Sequence, residues 1–184
     1  MKKLYTILFI ALLCTGSIFA QPTIETFETE TANSTSFMDN GQNFNISSQA
    51  GGTFKITDES GYGWSGSTID NKYIDNSGTA DIGVPVQFTI KTTGAFTLKS
   101  IYLFLSQSNL GSGSGNCTIT GKLNGSVIFT AKAAADFNSN VTNNGYTLID
   151  LNTYGASDNS NKIINEYTIT TTGTFEYVAL DAMK

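Results

Sequence analysis

Cys117-Thr118-Ile119-Thr120-Gly121-Lys122-Leu123-Asn124-Gly125-Ser126-Val127-Ile128-Phe129-Thr130-Ala131-Lys132 reads as a β-hairpin, and the fold class follows from it. On both sides of its centre, apolar and β-branched residues alternate with polar ones, which is the pattern of a half-buried strand. Asn124-Gly125 supplies the two positive-φ residues of a type I′ turn, so the two strands are antiparallel neighbours.

The same texture extends through the chain. Short β-branched and aromatic runs recur at 24–27, 44–47, 53–57, 72–75, 86–92, 96–106, 146–151 and 166–180, separated by Gly, Asn, Asp and Ser. No apolar period of 3.6 residues persists over three turns, so helix is scarce. The expected fold is all-β, an antiparallel two-sheet sandwich of jelly-roll type, preceded by a signal-peptide helix. Asp39-Asn40-Gly41 and Thr171-Thr172-Gly173-Thr174 read as further hairpin turns, the latter tying Tyr167-Ile169 to Phe175-Val178. Alternation points Phe88, Ile90, Phe96, Leu98, Ile101, Leu103, Leu105, Ile128, Leu148, Tyr167, Ile169, Phe175, Tyr177 and Ala179 inward. Ile101-Tyr102-Leu103-Phe104-Leu105 is apolar on both faces, which places it inside a sheet. The other sheet would cover one face and the loop with Tyr62 and Trp64 the other.

The first twenty residues are set aside as an export signal. Lys2 and Lys3 precede an apolar run at 4–13, too short to anchor in a bilayer, and Ala20 before Gln21 offers a cleavage site. A lipidated Cys14 is disfavoured because Leu13 stands where a small residue is required. Residues 21–184 are expected to form one domain, secreted and without membrane insertion after cleavage.

Composition excludes several functions. The chain carries 10 basic residues, all lysine, against 15 acidic ones, for a net charge of −5. Without a guanidinium fork and with a repelling field, it is a poor nucleic-acid partner. It has no histidine and no arginine, which removes Ser-His-Asp and Cys-His nucleophiles and histidine zinc sites. Cleavage leaves Cys117 as the only thiol, so the core and not a disulfide holds the fold. Paired carboxylates would suffice for glycoside hydrolysis, but Glu25 and Glu28, or Asp58 and Glu59, lack the aromatic surroundings that raise one pKa. The expectation is therefore no enzyme.

Two candidate sites remain. In Gly61-Tyr62-Gly63-Trp64 and Asp70-Asn71, Tyr62 and Trp64 would stack on a sugar while Asp70 and Asn71 bond its hydroxyls. The bland alternative makes Trp64 a plug over the sandwich. A structural calcium is the second candidate, with no cofactor otherwise required. Glu25 and Glu28 in the first strand and Asp181 closing the last would supply three carboxylates if those strands pair or abut, and the alternative is unpaired surface acids.

Phe27-Glu28, Gly61-Tyr62-Gly63-Trp64, Asp70-Asn71-Lys72-Tyr73-Ile74-Asp75-Asn76 and Phe175-Glu176-Tyr177-Val178-Ala179-Leu180-Asp181 together give the chain a family resemblance. It resembles a secreted Bacteroidota-type jelly-roll domain, similar to carbohydrate-binding modules and galactose-binding-like folds. The leading expectation, resting on the aromatic loop, is a binding or adhesion domain with a glycan or cell-surface partner. The resemblance implies Gram-negative export, a two-sheet fold and a structural calcium between the first and last strands. It implies no activity. A purely structural surface module is the alternative.

Overall fold

The computed structural model describes residues 23–133, 137 and 142–184, so the export segment and the Gln21 cleavage site lie outside the described residues. The strands are β1 (Ser36–Asp39), β2 (Gln42–Ala50), β3 (Lys55–Trp64), β4 (Ile69–Asp75), β5 (Gln87–Thr97), β6 (Ser100–Ser106), β7 (Cys117–Leu123), β8 (Ser126–Ala133), β9 (Thr147–Asp150), β10 (Ile163–Thr171) and β11 (Tyr177–Asp181). They build a six-stranded sheet, β1-β2-β5-β10-β7-β8, and a five-stranded sheet, β3-β4-β11-β6-β9. All paired neighbours are antiparallel. The chain is the two-sheet antiparallel sandwich that its sequence implies. Among the described residues no helix is long and apolar enough to cross a membrane.

The turns that glycine and asparagine announce are in place. Leu123 faces Ser126 across Asn124 (φ 50°) and Gly125 (φ 83°), and Asp39 faces Gln42 across Asn40 (φ 48°) and Gly41 (φ 75°). Both are two-residue turns with positive φ throughout.

Thr171 to Thr174 is a correction. It does not close a hairpin, because β10 pairs with β5 and β7 while β11 pairs with β4 and β6 in the other sheet. The Thr171 hydroxyl accepts the Val86 N–H at 2.8 Å and donates to the Phe175 carbonyl at 2.8 Å, so the segment is held as a crossing between sheets. The run 96–106 likewise splits at Leu98-Lys99 into β5 and β6, which belong to different sheets.

The core between the sheets is built from alternate residues of both. Phe54 and Phe88 stack with centroids 4.0 Å apart, and Phe37 and Phe44 at 5.1 Å. Most residues expected inward are buried, with two exceptions and one inversion. Ile128 is exposed because a bulge between Gly121 and Lys122 shifts the phase of the β7–β8 ladder and turns Phe129 inward over Gly121. Leu148 is exposed because Ile149 lies opposite Ile101 and shares its inward face. On β11, Val178 and Leu180 join the core, while Tyr177 and Ala179 belong to a second aromatic cluster. A strand apolar on both faces leaves its phase to its neighbours.

Candidate binding face on the outer surface of the five-stranded sheet

The inverted strand β11 points to the site. Opposed residues of an antiparallel ladder share a face, and Ala179 lies opposite both Asp75 of β4 and Phe104 of β6, while Tyr177 faces Ser106 and Asp181 faces Tyr102. The outward face of these strands therefore carries Asp75, Tyr102, Phe104, Tyr177 and Asp181, with Tyr73 two residues before Asp75. Phe104 is the hub, with ring centroids 6.0 Å from Tyr146 and 5.9 Å from Tyr177.

Above this face lies a hollow of ≈470 Å³, walled by Glu59 and Tyr62 of β3, by Tyr73, Phe104, Tyr146 and Tyr177, and rimmed by the loops carrying Ser77 and Ser108. Glu176 ties the two rim loops together, its carboxylate accepting the Gly83 N–H at 2.7 Å and the Ser108 N–H at 3.1 Å. The Gly83 amide, then Ser108, hold its pKa below the ordinary carboxylate value. Opposite, the Asn144 amide donates to the carbonyls of Gly61 (3.0 Å) and Gly63 (3.2 Å) and so fixes the stretch that bears Tyr62.

The hydroxyls in the hollow are already oriented. Tyr73 donates to Glu59 at 3.2 Å and Tyr177 to Asp75 at 2.8 Å, and Asp75 also accepts the Thr57 and Ser77 hydroxyls. Burial, and then the charge of Asp75, raises the pKa of Tyr73 and of Tyr177, and burial followed by Asp181 raises that of Tyr146. All three phenols stay protonated, and those of Tyr73 and Tyr177 donate.

The residues singled out from sequence divide here. Tyr62 lines the hollow and is 61% exposed. Trp64 is half-buried edge-on against Tyr102, with centroids 6.3 Å apart, and covers the outer face of β6 as a plug. Asn71 is engaged in structure: its N–H donates to Glu28 at 2.8 Å and its side-chain oxygen accepts the Gly61 N–H at 3.1 Å.

Asp70 meets Asp181. Asp181 is fully buried and accepts the N–H groups of Trp64 and Ala182, each at 2.7 Å. Both carboxylate oxygens of Asp70 are buried with no N–H donor, and the Asp181 carboxyl is what faces them. Burial raises the pKa of both acids, opposed at Asp181 by the Trp64 N–H and reinforced by the Asp70 charge, so the pair retains a proton near neutrality. Glycine at 63 permits this approach, because a Cβ there would collide with Asp70 and lie 3.0 Å from an Asp181 oxygen.

The terminal acids do not converge as a set. The first and last segments do abut, through backbone bonds between Glu25 and Met183 of 2.8 and 2.9 Å. The Glu25 side chain, however, turns back to the Phe27 N–H at 2.5 Å, and Glu28 accepts the Asn71 and Lys72 N–H groups at 2.8 and 2.5 Å. Asp181 is left with Asp70 in place of either. Among the described residues no group of three or more Asp, Glu, Cys or His is placed to hold a metal ion. Cys117 is buried, and burial pushes its thiol up to about 12, which makes it inert.

Sequence reasoning missed Glu59, Tyr73, Phe104, Tyr146 and Tyr177. The signal available was the doubly apolar run 101–105, which announced a covered outer face without saying which other strands shared it.

No family model and no curated protein matches the chain. Among solved structures it is similar to a DUF4465 family protein from Bacteroides caccae, at 16% identity over 88% of this chain and 96% of that one, with a TM-score of 0.49. It is also similar to CBM32-3 from a family 31 glycoside hydrolase of Clostridium perfringens, at 16% identity over 74% of this chain and 90% of that one, with a TM-score of 0.36. Identity this low leaves the chemistry of the hollow to be read from this chain's own residues.

Proposed function

We propose that this is a non-catalytic binding domain of an exported protein and that the hollow on the outer face of the five-stranded sheet takes a glycan. The observation that carries the reading is the pairing of aromatic walls with pre-oriented polar groups in one ≈470 Å³ space. A pyranose has apolar C–H faces that stack on rings and hydroxyls that need fixed partners. Tyr62 and the half-exposed rings of Phe104 and Tyr177 supply the first, and Glu59, Ser77, Ser108 and Asn144 the second. The Glu176 and Asn144 bonds hold both rims, so little ordering is left for the moment of binding.

A hydrolytic role is less well supported. Glycoside cleavage needs two carboxylates facing one bond, and among the described residues Glu59 is the only acid in the lining, with Asp75 behind it engaged by three hydroxyls. The burial of Tyr73 and Tyr146 favours a second reading, a packing unit of a larger exported protein that binds no small ligand.

Calorimetric titration of the mature chain with a panel of soluble oligo- and polysaccharides decides between them. The glycan reading expects saturable binding of at least one, weakened about tenfold by Tyr62→Ala, which removes one stacking ring. A panel with no saturable member would leave the packing unit.

A further inference from the structure

The hollow is aromatic and negative, and among the described residues no lysine lines it. Resting on the glycan reading above, we propose that it selects a sugar bearing a free, protonated amine, with the Glu59 carboxylate receiving the ammonium group and the rings of Tyr62, Phe104 and Tyr177 flanking it.

Three observations converge. The faces of aromatic rings attract ammonium groups, and rings from β3, β6 and β11 meet at this one space. Glu59 is exposed, and its Oε2 is placed by the Tyr73 hydroxyl at 3.2 Å, so a carboxylate stands at a fixed point of the wall. The nearest lysines on the neighbouring strands are turned elsewhere: Lys55 donates to Asn33 at 2.6 Å, and Lys72 to the carbonyls of Glu28 and Glu30 at 3.0 and 2.7 Å. No cation among the described lining residues neutralises Glu59, and Asp75 adds a second negative charge behind Tyr177. The same two carboxylates contribute to the raised pKa of Tyr73, a local sign of the field an incoming cation would meet.

Charge then sorts the glycans. A uronate or sulfated sugar would set an anion against Glu59 and be repelled. A neutral sugar gains the stacking alone. An amino sugar gains stacking, a cation–π contact and a charge-assisted hydrogen bond to Glu59.

The test is calorimetry on the full mature chain at about pH 6, where carboxylates in general are ionised and amines protonated. The probes are β-1,4-linked tetramers of glucosamine, N-acetylglucosamine and glucose, a galacturonate tetramer, and trilysine. The expected result is that the glucosamine tetramer binds about tenfold more tightly than its N-acetylated form, since acetylation removes the charge and leaves the ring. Glu59→Gln should bring that ratio close to one, whereas Asp58→Asn, which removes a charge outside the hollow, should preserve it. Equal affinities for the two forms, a preference that survives Glu59→Gln, or tightest binding of galacturonate would each overturn the inference. Trilysine matching the glucosamine tetramer would overturn the assignment to a sugar. Neutral tetramers binding without any amine preference would remove this inference and leave the glycan reading standing, while no binding by any tetramer would remove both.

Discussion

The two faces of the five-stranded sheet are made from alternate residues of the same strands and differ in kind. Inward, Ile74, Leu103, Leu105, Val178 and Leu180 join the core, aliphatic and almost completely buried. Outward, Tyr73, Tyr102, Phe104 and Tyr177 form a partly open aromatic cluster with Asp75 and Asp181 set among them. The inner face is closed by another sheet, so its worth is transfer from water and packing. The outer face is closed by a hairpin end and a few loops. It buries carboxylates that a second sheet could not tolerate, and it leaves rings unfinished. The comparison teaches that packing stability sits on one side of the layer, while the open rings on which the proposed recognition rests sit on the other.

The sharpest way to break that division is a neighbouring pair of truncations. Leu103→Ala should cost about 3 kcal/mol, because it opens a cavity in a fully packed interior, whereas Phe104→Ala, one residue along and half-buried, should cost about 1 kcal/mol. Urea unfolding midpoints with unchanged slopes would report both. Equal losses would mean that the outer cluster is as much a core as the inner one.

The second prediction concerns pH and comes from the outer face. Asp70 and Asp181 have raised pKa values in the folded chain, chiefly from burial, and burial also raises Glu25 to about 7. A group whose folded pKa exceeds its unfolded value binds more protons in the native state, so stability falls as pH rises from the ordinary carboxylate value through the raised one. The melting temperature should therefore drop by about 5 °C between about pH 5 and about pH 9, and Asp70→Asn should flatten that slope. Glu166 works in the opposite sense: burial would raise its pKa, but Lys122 and Lys91, each 3.1 Å away, more than offset this and lower it. Its contribution is lost only as pH falls below the carboxylate range. A melting temperature that climbs from neutral to alkaline pH would contradict the buried acid pair.

The third is smaller. Glu176→Ala removes one carboxylate that accepts two loop amides, and it should lower the unfolding midpoint by less than Leu103→Ala does. Hydrogen exchange at the Gly83 and Ser108 amides should quicken together, since one side chain protects both. Unchanged exchange at both would mean that the rim is held by other contacts.

How far these differences were legible in the sequence varies by residue. Asn124-Gly125 and Asn40-Gly41 named their turns because the chemistry is local, and 101–105 announced cover on both faces, although Tyr62 and Trp64 lie at the end of strand β3 and not in a loop. Thr171 to Thr174 misled because whether two strands pair across a turn or part to different sheets is decided by residues far along the chain, here Val86 and Ser114. The phase of β11 was hidden for the same reason: Tyr177-Val178-Ala179-Leu180 is apolar at every position, and only register against β4 and β6 selects which residues face out. The hollow is a product of that choice. Its aromatic members come from five separate stretches, so no spacing in the sequence joins them, whereas Tyr62, next to a glycine on either side, was visible as an exposed ring on its own.

The smallest expected change in stability is also the one that separates the open part of the outer face from its closed part most cleanly. Tyr62 and Trp64 are two residues apart on β3, yet the first stands out over the hollow while the second is laid against Tyr102. Tyr62 appears in no ring pair or side-chain hydrogen bond among those described, so truncating it removes little folded-state contact. Tyr62→Ala should move the unfolding free energy by no more than about 0.5 kcal/mol, while Trp64→Ala should cost about 2 kcal/mol through lost burial. The order reverses for ligand: Tyr62→Ala should lose most of the glycan affinity, and the fluorescence of Trp64, the chain's only tryptophan, should stay blue-shifted and shielded from quencher in both the free and the Tyr62→Ala protein. A red, readily quenched Trp64 emission would turn the assignment around. It would make Trp64 a second exposed ring and extend the recognition surface across the part of the outer face that now reads as closed.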